Sequence, residues 1–264
     1  MTILFFGDIV GRLGRRAVAR ILPEWKKEYQ PDLVIANVEN LAHGIGVTKK
    51  TLDEIRAAGV DFCTSGNHIF KKPESMDILA DSRSPVLRPA NYPEGTPGTG
   101  HRLITLGNQK ILVINLLGRL FMDEGLACPF RTADAILNQY RGTKLNAVIV
   151  DFHAEATSEK AALGWYLDGR VSLVVGTHSH VPTADAKIMP QGTAFITDAG
   201  MNGGRDTSLG VDKDLAIKRF LEQSPVSLDW PDQGVSVVNA VLAEIDPNTA
   251  KAIKIKLLQT EVLI

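Results

Sequence analysis

The sequence predicts an α/β protein in which two packed sheets have helices outside them, a four-layer α/β/β/α sandwich. Short apolar runs alternate with amphipathic stretches through most of the chain, as in parallel strand–helix–strand units whose sheets are covered on both faces. The last part, residues 234–264, alternates instead like two antiparallel strands joined by DPNTA. No internal repeat, low-complexity tract or linker divides the 264 residues. We therefore expect one domain over residues 1–264, a length sufficient for a large core.

The alternation is clearest in the first 66 residues. One predicted helix, GRRAVARILPEWKKEY, has its apolar residues at helical spacing. A second, KKTLDEIRAAG, begins after Thr48, a residue type that caps helices, and ends on Gly59. The strands predicted around these helices are TILFFG, DLVIANV and VDFCTSG.

Two glycine-rich segments interrupt the second half. Residues 84–100 are rich in proline and glycine and are expected to form a long loop. Residues 200–212 are expected to form another loop, followed by a helix near residues 213–222. Four more strands are predicted, KILVINLLG, NAVIVDFHAE, VSLVVGTHSH and TAFITDAG.

Composition restricts the classes of function. The net charge of −1 argues against an extended nucleic-acid surface, because nucleic-acid binders usually carry a basic patch. The chain has only two cysteines, Cys63 and Cys128, which does not suggest a disulfide framework and favours a reducing compartment. No run approaches the roughly 18 apolar residues that span a bilayer. The apolar N-terminus is short and lacks a basic leader, so we expect a first strand and a cytoplasmic protein.

The polar residues at the strand ends are the strongest functional signal. Five separate apolar runs each end in a group that can bind a metal or transfer a proton. Since ligands bind at the carboxyl ends of strands in α/β sheets, we expect these groups to converge. They are Asp8, Glu39, Asn40, Asn67, His68, His153, His178 and His180.

The chemistry of this set predicts a metal site. His178 and His180 are two residues apart, so on an extended chain both imidazoles point to one side. Carboxylates, carboxamides and imidazoles are the mixed N/O donors that suit Fe, Mn or Zn. The set is too large for one tetrahedral ion and sufficient for two. A carboxylate such as Glu39 could bridge two ions about 3.5–4 Å apart, an arrangement that clamps the oxygens of a phosphoryl displacement.

These motifs resemble a known superfamily. GD at 7–8, GNH at 66–68, His153 and GTHSH at 176–180 are similar to the calcineurin-type metallophosphoesterase signature, D-x-H, G-D, G-N-H, H and G-H-x-H. The chain departs from it twice. Val10 stands where D-x-H has its histidine, and VEN replaces the G-D that carries the bridging aspartate.

The departures are similar to one subgroup, the YmdB-like bacterial phosphoesterases. The resemblance spans nearly the whole chain, and Val38 stands where that subgroup commonly has glycine. It rests on GDIVGRLGR, NVENLAHGIGVT, TSGNH, RPANYPEGTPG, DFHAEATSEKAALGWYLDGR, VVGTHSHVPTAD and GTAFITDAGMNG.

The resemblance implies a metallophosphoesterase-like fold and a dinuclear, metal-dependent phosphodiesterase of the 2′,3′-cyclic-nucleotide 2′-phosphodiesterase type. The implied cofactors are two divalent or mixed-valence metal ions, with iron favoured and manganese or zinc as alternatives. Asn40 would replace the missing histidine ligand, and His68 would be an unligated proton donor. The implied metal ligands are Asp8, Glu39, Asn40 and His180 for one ion, and Glu39, Asn67, His153 and His178 for the other.

The implied mechanism hydrolyses a 2′,3′-cyclic nucleotide to its 3′-monophosphate. A metal-bridged hydroxide would attack phosphorus in line, and protonated His68 would give its proton to the departing ribose oxygen. Little help to the leaving group is needed, because the strained five-membered ring makes this ester reactive. The expected partner is therefore a small cyclic nucleotide or another phosphoester.

The sequence allows two interpretations for several residues. Asn40 could equally cap the turn that follows it. His43 is a candidate contact for the substrate phosphate, or a loop histidine bonded to its own backbone. Glu155 is a candidate for orienting His153. His101 is expected to be solvated, and Arg15, with its neighbours on the first helix, a solvated charge.

Two alternative functions also remain. One is a phosphoesterase with another natural substrate, and the other is a nucleotide-binding regulatory protein with weak turnover. The sequence leaves the oligomeric state open, and the exposed edges of the C-terminal strands are candidates for a homo-oligomeric contact.

Overall fold

The computed structural model describes residues 1–122, 125–222 and 225–264, and within these ranges the chain forms six helices. The helices are α1 (Gly11–Tyr29), α2 (Lys49–Ala57), α3 (Glu74–Ala80), α4 (Pro129–Gln139), α5 (Thr157–Leu167) and α6 (Lys213–Glu222). The strands of the first half are β1 (Thr2–Phe6), β2 (Asp8–Ile9), β3 (Leu33–Asn37), β4 (Phe62–Thr64), β5 (His101–Leu106) and β6 (Gln109–Leu117). Those of the second half are β7 (Ala147–His153), β8 (Leu173–Thr177), β9 (Lys187–Ile188), β10 (Ala194–Ile196), β11 (Met201–Gly204), β12 (Thr207–Ser208), β13 (Val211–Asp212), β14 (Val235–Ile245) and β15 (Ala252–Leu263).

Two sheets contain nearly all of these strands. The first has the order β2-β11-β14-β1-β3-β4, with β15 paired to β14, and the second has the order β5-β6-β7-β8-β10-β9. In the first sheet β1, β3 and β4 are parallel, and in the second β6, β7, β8 and β10 are parallel. The parallel strands therefore bring several carboxyl ends to one edge of each sheet.

Three apolar layers hold these elements together. The inner faces of the two sheets meet in one layer, where Phe5 and Ile35 of the first sheet pack with Ile149 and Val175 of the second. Helices α1 and α2 cover the outer face of the first sheet. Helices α4 and α5 cover the outer face of the second. The order of layers is α/β/β/α, which confirms the predicted fold class.

The predicted loop over residues 200–212 is partly wrong. Residues 201–204 form β11, which pairs with β2 and β14 in the first sheet, and residues 207–212 contain the short β12–β13 hairpin. The side chain of Asn202 explains the difference. It donates to Gly7 O at 2.9 Å and accepts from Asn239 N at 2.9 Å. These contacts with residues distant in sequence hold residues 201–204 as a strand, although glycine, which occupies two of the four positions, disfavours strands.

Two smaller expectations also change. His101 is the first residue of β5 and is half-buried, with its ring edge-on to Tyr140 at 5.8 Å, so it is not simply solvated. Helix α3 was not predicted from the sequence. Among the described residues, no helix is both long and apolar enough to cross a membrane.

Candidate metal centre

The predicted donors lie at the ends of strands, as the sequence suggested. Asp8 begins β2, immediately beyond β1, and Glu39 and Asn40 follow β3. Asn67 and His68 follow β4. The three remaining histidines come from the second sheet, where one ends β7 and two follow β8: they are His153, His178 and His180.

His153 lies at the centre of the group and is fully buried. Its Nε2 lies 3.2 Å from Glu39 Oε1, 3.2 Å from Asn67 Oδ1 and 3.0 Å from His178 Nδ1. Ligand atoms of Glu39, His153 and His178 all lie within 4.8 Å of one another. Groups from separate strand ends therefore meet at a single point.

The remaining residues extend this group on one side. His180 Nε2 lies 3.2 Å from Asn40 Nδ2 and 4.0 Å from Asp8 Oδ1. His68 Nδ1 lies 3.0 Å from Asn40 Oδ1 and 3.4 Å from Glu39 Oε1. The structure thus brings together seven predicted metal ligands and His68.

Two features show that these residues fit metal ions. Asp8 Oδ1 is buried and has no hydrogen-bond partner among the described residues, a costly state for a carboxylate oxygen unless a cation compensates it. The ring nitrogens of His153 and His178 face each other at 3.0 Å, as imidazoles do when both turn toward one position. The donors are nitrogen and oxygen atoms only, which suits iron, manganese or zinc.

Glu39 and His153 form an ion pair within this group of residues. Burial alone would raise the pKa of Glu39, but the charge and hydrogen bond of His153, followed by those of His68, hold that pKa well below its ordinary value. Burial opposes the charged form of His153, yet Glu39 raises the pKa of His153 to about 9. Burial, with the adjacent charge of His153, lowers the pKa of His178 to about 3. The pocket therefore stabilises positive charge next to Glu39 and keeps His178 a neutral donor.

A buried polar network behind His153 was not predicted. Thr177 Oγ1 lies 2.8 Å from His153 Nδ1 and donates to Asp151 Oδ1 at 2.7 Å. Asp151 also accepts from Asn37 Nδ2 at 3.0 Å, and burial raises the pKa of Asp151 to about 7. These contacts fix the orientation of the His153 ring. The available signal was the spacing in VIVDFH, which places Asp151 two residues before His153 and on the same face of β7.

The loop after β8 has a strained backbone at both histidines. His178 has φ 99° and His180 has φ 64°, values that non-glycine residues rarely adopt. Asp8 Oδ2 accepts from His178 N at 3.1 Å, and Leu209 O lies 2.9 Å from His180 Nδ1. The loop therefore depends on contacts with distant segments for its conformation.

Other sequence expectations have different outcomes. Glu155 Oε2 lies 3.0 Å from His178 Nε2, so Glu155 contacts that histidine rather than His153. Arg15 is not a solvated charge, because it pairs with Glu54 at 2.7 Å and donates to Leu41 O beside the site. His43 is exposed, with φ 52°, and makes no hydrogen bond to the group among the described residues.

Comparisons with known proteins identify the family. Residues 4–258 match the YmdB-like protein family. A Bacillus subtilis (strain 168) protein named 2′,3′-cyclic-nucleotide 2′-phosphodiesterase is 46% identical over 256 residues, covering 97% of this chain and 96% of its own.

Solved structures agree with this assignment. A hypothetical protein from Thermus thermophilus is 40% identical with a TM-score of 0.92, covering 99% of each chain. A phosphatase from Mycoplasma pneumoniae is 33% identical with a TM-score of 0.92, covering 99% of this chain and 93% of its own. Both the resemblance seen in the sequence and the metallophosphoesterase-like fold that it implied are confirmed. The chain belongs to the YmdB-like family and is a phosphoesterase of that family.

Proposed function

We propose that this chain is a dinuclear-metal phosphodiesterase that hydrolyses 2′,3′-cyclic nucleotides to 3′-monophosphates. The observation that carries the proposal is the convergence of Glu39, Asn67 and His178, from three other chain segments, around His153 Nε2, together with the buried Asp8 Oδ1 that has no hydrogen-bond partner among the described residues. The name of the Bacillus subtilis relative supplies the substrate class.

The proposed ligands divide into two overlapping sets that share Glu39. Iron is the favoured metal, with manganese and zinc as alternatives, because the nitrogen and oxygen donors accept all three. Cations bound there would supply Lewis-acid charge, which lowers the pKa of water and stabilises negative charge on phosphate oxygens. The first set is Asp8, Glu39, Asn40 and His180, and the second is Glu39, Asn67, His153 and His178.

His68 is proposed as the general acid. In its protonated form Nδ1 would donate to Asn40 Oδ1, 3.0 Å away, with Glu39 Oε1 at 3.4 Å. Nε2 makes no hydrogen bond to a described residue, and the side chain is 30% exposed. This nitrogen can therefore give its proton to the ribose 2′ oxygen as the bond from that oxygen to phosphorus breaks. Water supplies the hydroxyl that phosphorus gains, and the phosphate stays on the 3′ oxygen.

His43 is retained as a proposed contact for the substrate phosphate. It is exposed on the loop that follows Asn40, so a ligand approaching the centre from solvent can reach it. The alternative is a loop histidine bonded to its own backbone, and the variant His43→Asn distinguishes the two.

The proposed location is the cytoplasm, and the proposed partner is a small phosphoester. Cys63 is buried and unpaired, and Cys128 is also free, which supports a reducing compartment. A homo-oligomer through exposed edge strands stays a proposal, with β15 as its candidate element because Ile253 and Leu263 are 63% and 70% exposed.

The decisive experiment is hydrolysis of 2′,3′-cyclic AMP by the purified protein, stripped of metal and then resupplied with Fe²⁺ or Mn²⁺. We expect metal-dependent release of the 3′-monophosphate. Turnover that yields the 2′-monophosphate would contradict the assigned bond. Tight binding of the nucleotide without turnover, in protein that holds two ions, would favour the regulatory alternative, and hydrolysis of other phosphoesters alone would favour another natural substrate.

A further inference from the structure

A second concave site lies among residues that the proposed metal centre does not use. It is a cavity of about 760 Å³ between the loop around residues 88–101, Arg119 beyond β6, and one face of α4. None of the proposed metal ligands lines it. The volume falls within the range of small-molecule sites, about 300–1,000 Å³.

Positive charge is the main property of this cavity. Among its described lining residues are Arg88, Arg119 and Arg131, and none is an aspartate or glutamate. Within the described ranges, none of these three arginines forms an ion pair. Among the described residues, five of the eleven other arginines are paired with carboxylates, namely Arg12, Arg15, Arg83, Arg170 and Arg205. The cavity is therefore distinguished by three arginines that line one space without a carboxylate, rather than by the lack of a partner at any one of them.

Arg88 is fixed in place without a compensating carboxylate. Its guanidinium donates to the carbonyl oxygens of Pro89 at 2.7 Å, Pro97 at 3.2 Å and Thr96 at 3.3 Å. Burial lowers the pKa of Arg88. A bound anion would supply the charge that these neutral carbonyls do not. Of the five N–H groups of the guanidinium, the carbonyls leave one on Nη1 and one on Nη2 to donate to the oxygens of a phosphate.

The lining of the cavity also includes apolar side chains. Ala127, Ala135 and Ile136 line it, while the hydroxyls of Thr99 and Thr132 add two hydrogen-bonding groups. Arg119 and Arg131 are exposed, so their side chains can move onto a ligand that enters from solvent. The cavity therefore combines cationic and apolar groups, as a site for an anion that carries an organic group would.

We propose that this cavity binds a small organic phosphate, with its anionic group held by Arg88, Arg119 and Arg131 and its organic part against Ala127, Ala135 and Ile136. The proposal does not depend on the cyclic-nucleotide assignment, because none of the groups invoked belongs to the proposed metal centre. It adds a second anion site to a chain whose net charge is close to zero.

The test uses phenylphosphonate, an organic anion whose carbon–phosphorus bond a phosphoesterase does not hydrolyse. Binding is followed by NMR through the ring resonances of His101, which lines the cavity and is one of six histidines in the chain. The variant is Arg119→Gln/Arg131→Gln, and both of its positions are exposed, so the fold should be retained. Arg141→Gln removes a single positive charge from an exposed position that does not line the cavity.

We expect saturable shifts of the His101 resonances in the wild type, an affinity at least tenfold weaker in the double variant, and an unchanged affinity in Arg141→Gln. Inorganic phosphate should bind at least tenfold more weakly than phenylphosphonate, because it lacks the organic group. If the double variant loses its fold, each single variant should still weaken the affinity several-fold. Binding that leaves the His101 resonances unmoved, or an affinity that both arginine changes leave intact, would overturn the proposal. Equal affinity for the two anions would overturn the role of the apolar lining residues.

Discussion

Lys160 Nζ lies 2.6 Å from Asp198 Oδ2, and this ion pair is almost fully buried behind the loop that carries His178 and His180. The same carboxylate oxygen accepts from Ser179 N at 3.1 Å and Ser179 Oγ at 2.7 Å. Ser179 stands between the two histidines, so the pair connects α5 to the strained part of the loop. A lysine outside the group of donors thereby helps to position two of them.

Lys160→Met should destabilise the protein and loosen this loop. Removing one partner of a buried ion pair leaves an uncompensated charge, which costs about 3–5 kcal/mol in free energy of unfolding. We also expect a lower metal content, because Asp198 would no longer hold Ser179 firmly. Urea unfolding and elemental analysis measure the two effects.

The matched control is Lys254→Met, which breaks an exposed ion pair with Glu244 and should change the stability by less than about 1 kcal/mol. Equal effects of the two substitutions would show that the Lys160 pair has no special structural role.

The sequence predicted the donors of the site better than their supports. Asp8 and His153 could be identified because the apolar runs near them predict strands. The carboxyl ends of such strands meet at one edge of a sheet, so polar residues at those ends are expected to lie close together. Lys160 could not be found in the same way, because its partner Asp198 is 38 residues away and only the packing of α5 on the second sheet brings them together. Asn202 shows the same limit, since its contacts with Gly7 and Asn239 turned a predicted loop into a strand.

Gly66→Ala should disrupt the candidate metal centre directly. A Cβ at this position would lie 2.2 Å from Glu39 Oε2 and 2.3 Å from His153 Nε2, and both side chains are buried and cannot easily move away. We expect loss of bound metal and a fall in activity of roughly 100-fold, since small displacements of reacting groups have effects of that size.

Gly107→Ala is the control, because its φ of +56° makes alanine unfavourable but nothing lies within 4 Å of the added Cβ. This variant should lose about 1 kcal/mol of stability and keep its metal. Normal metal content in Gly66→Ala would mean that the centre is less tightly packed than the structure shows.

His68→Asn should lower turnover without removing metal. Asparagine can keep a hydrogen bond to Asn40 but cannot donate a proton to a leaving oxygen, so we expect kcat to fall about 100-fold. His43→Asn makes the same chemical change at an exposed position and should leave kcat unchanged, with any effect confined to KM. Steady-state kinetics and metal analysis on both variants provide the measurement. Loss of metal from His68→Asn would identify His68 as a ligand rather than an acid.

Asp185 should make stability depend on pH in the acid range. Burial alone would raise the pKa of Asp185, but hydrogen bonds from Thr183 Oγ1, at 2.7 Å, and from the side chain and backbone of Thr197 hold it below its ordinary value of 3.8. Because the folded state favours the charged carboxylate, its stabilising contribution is fully present above that value. The contribution is lost as the pH falls through the lower, folded pKa.

Asp185→Asn should therefore reduce the free energy of unfolding by about 1 kcal/mol at pH 7, a value discounted for the partial exposure of this carboxylate. The difference from the wild type should persist at pH 5 and shrink below pH 3.8. Urea unfolding at pH 7, 5 and 3 gives the measurement. Glu94→Gln, an exposed loop carboxylate with no hydrogen bond to a described residue, should show little difference at any of these pH values. A difference between Asp185→Asn and the wild type that stays constant down to pH 3 would mean that the threonines do not favour the ionised carboxylate, and that the effect of the substitution is one of packing alone.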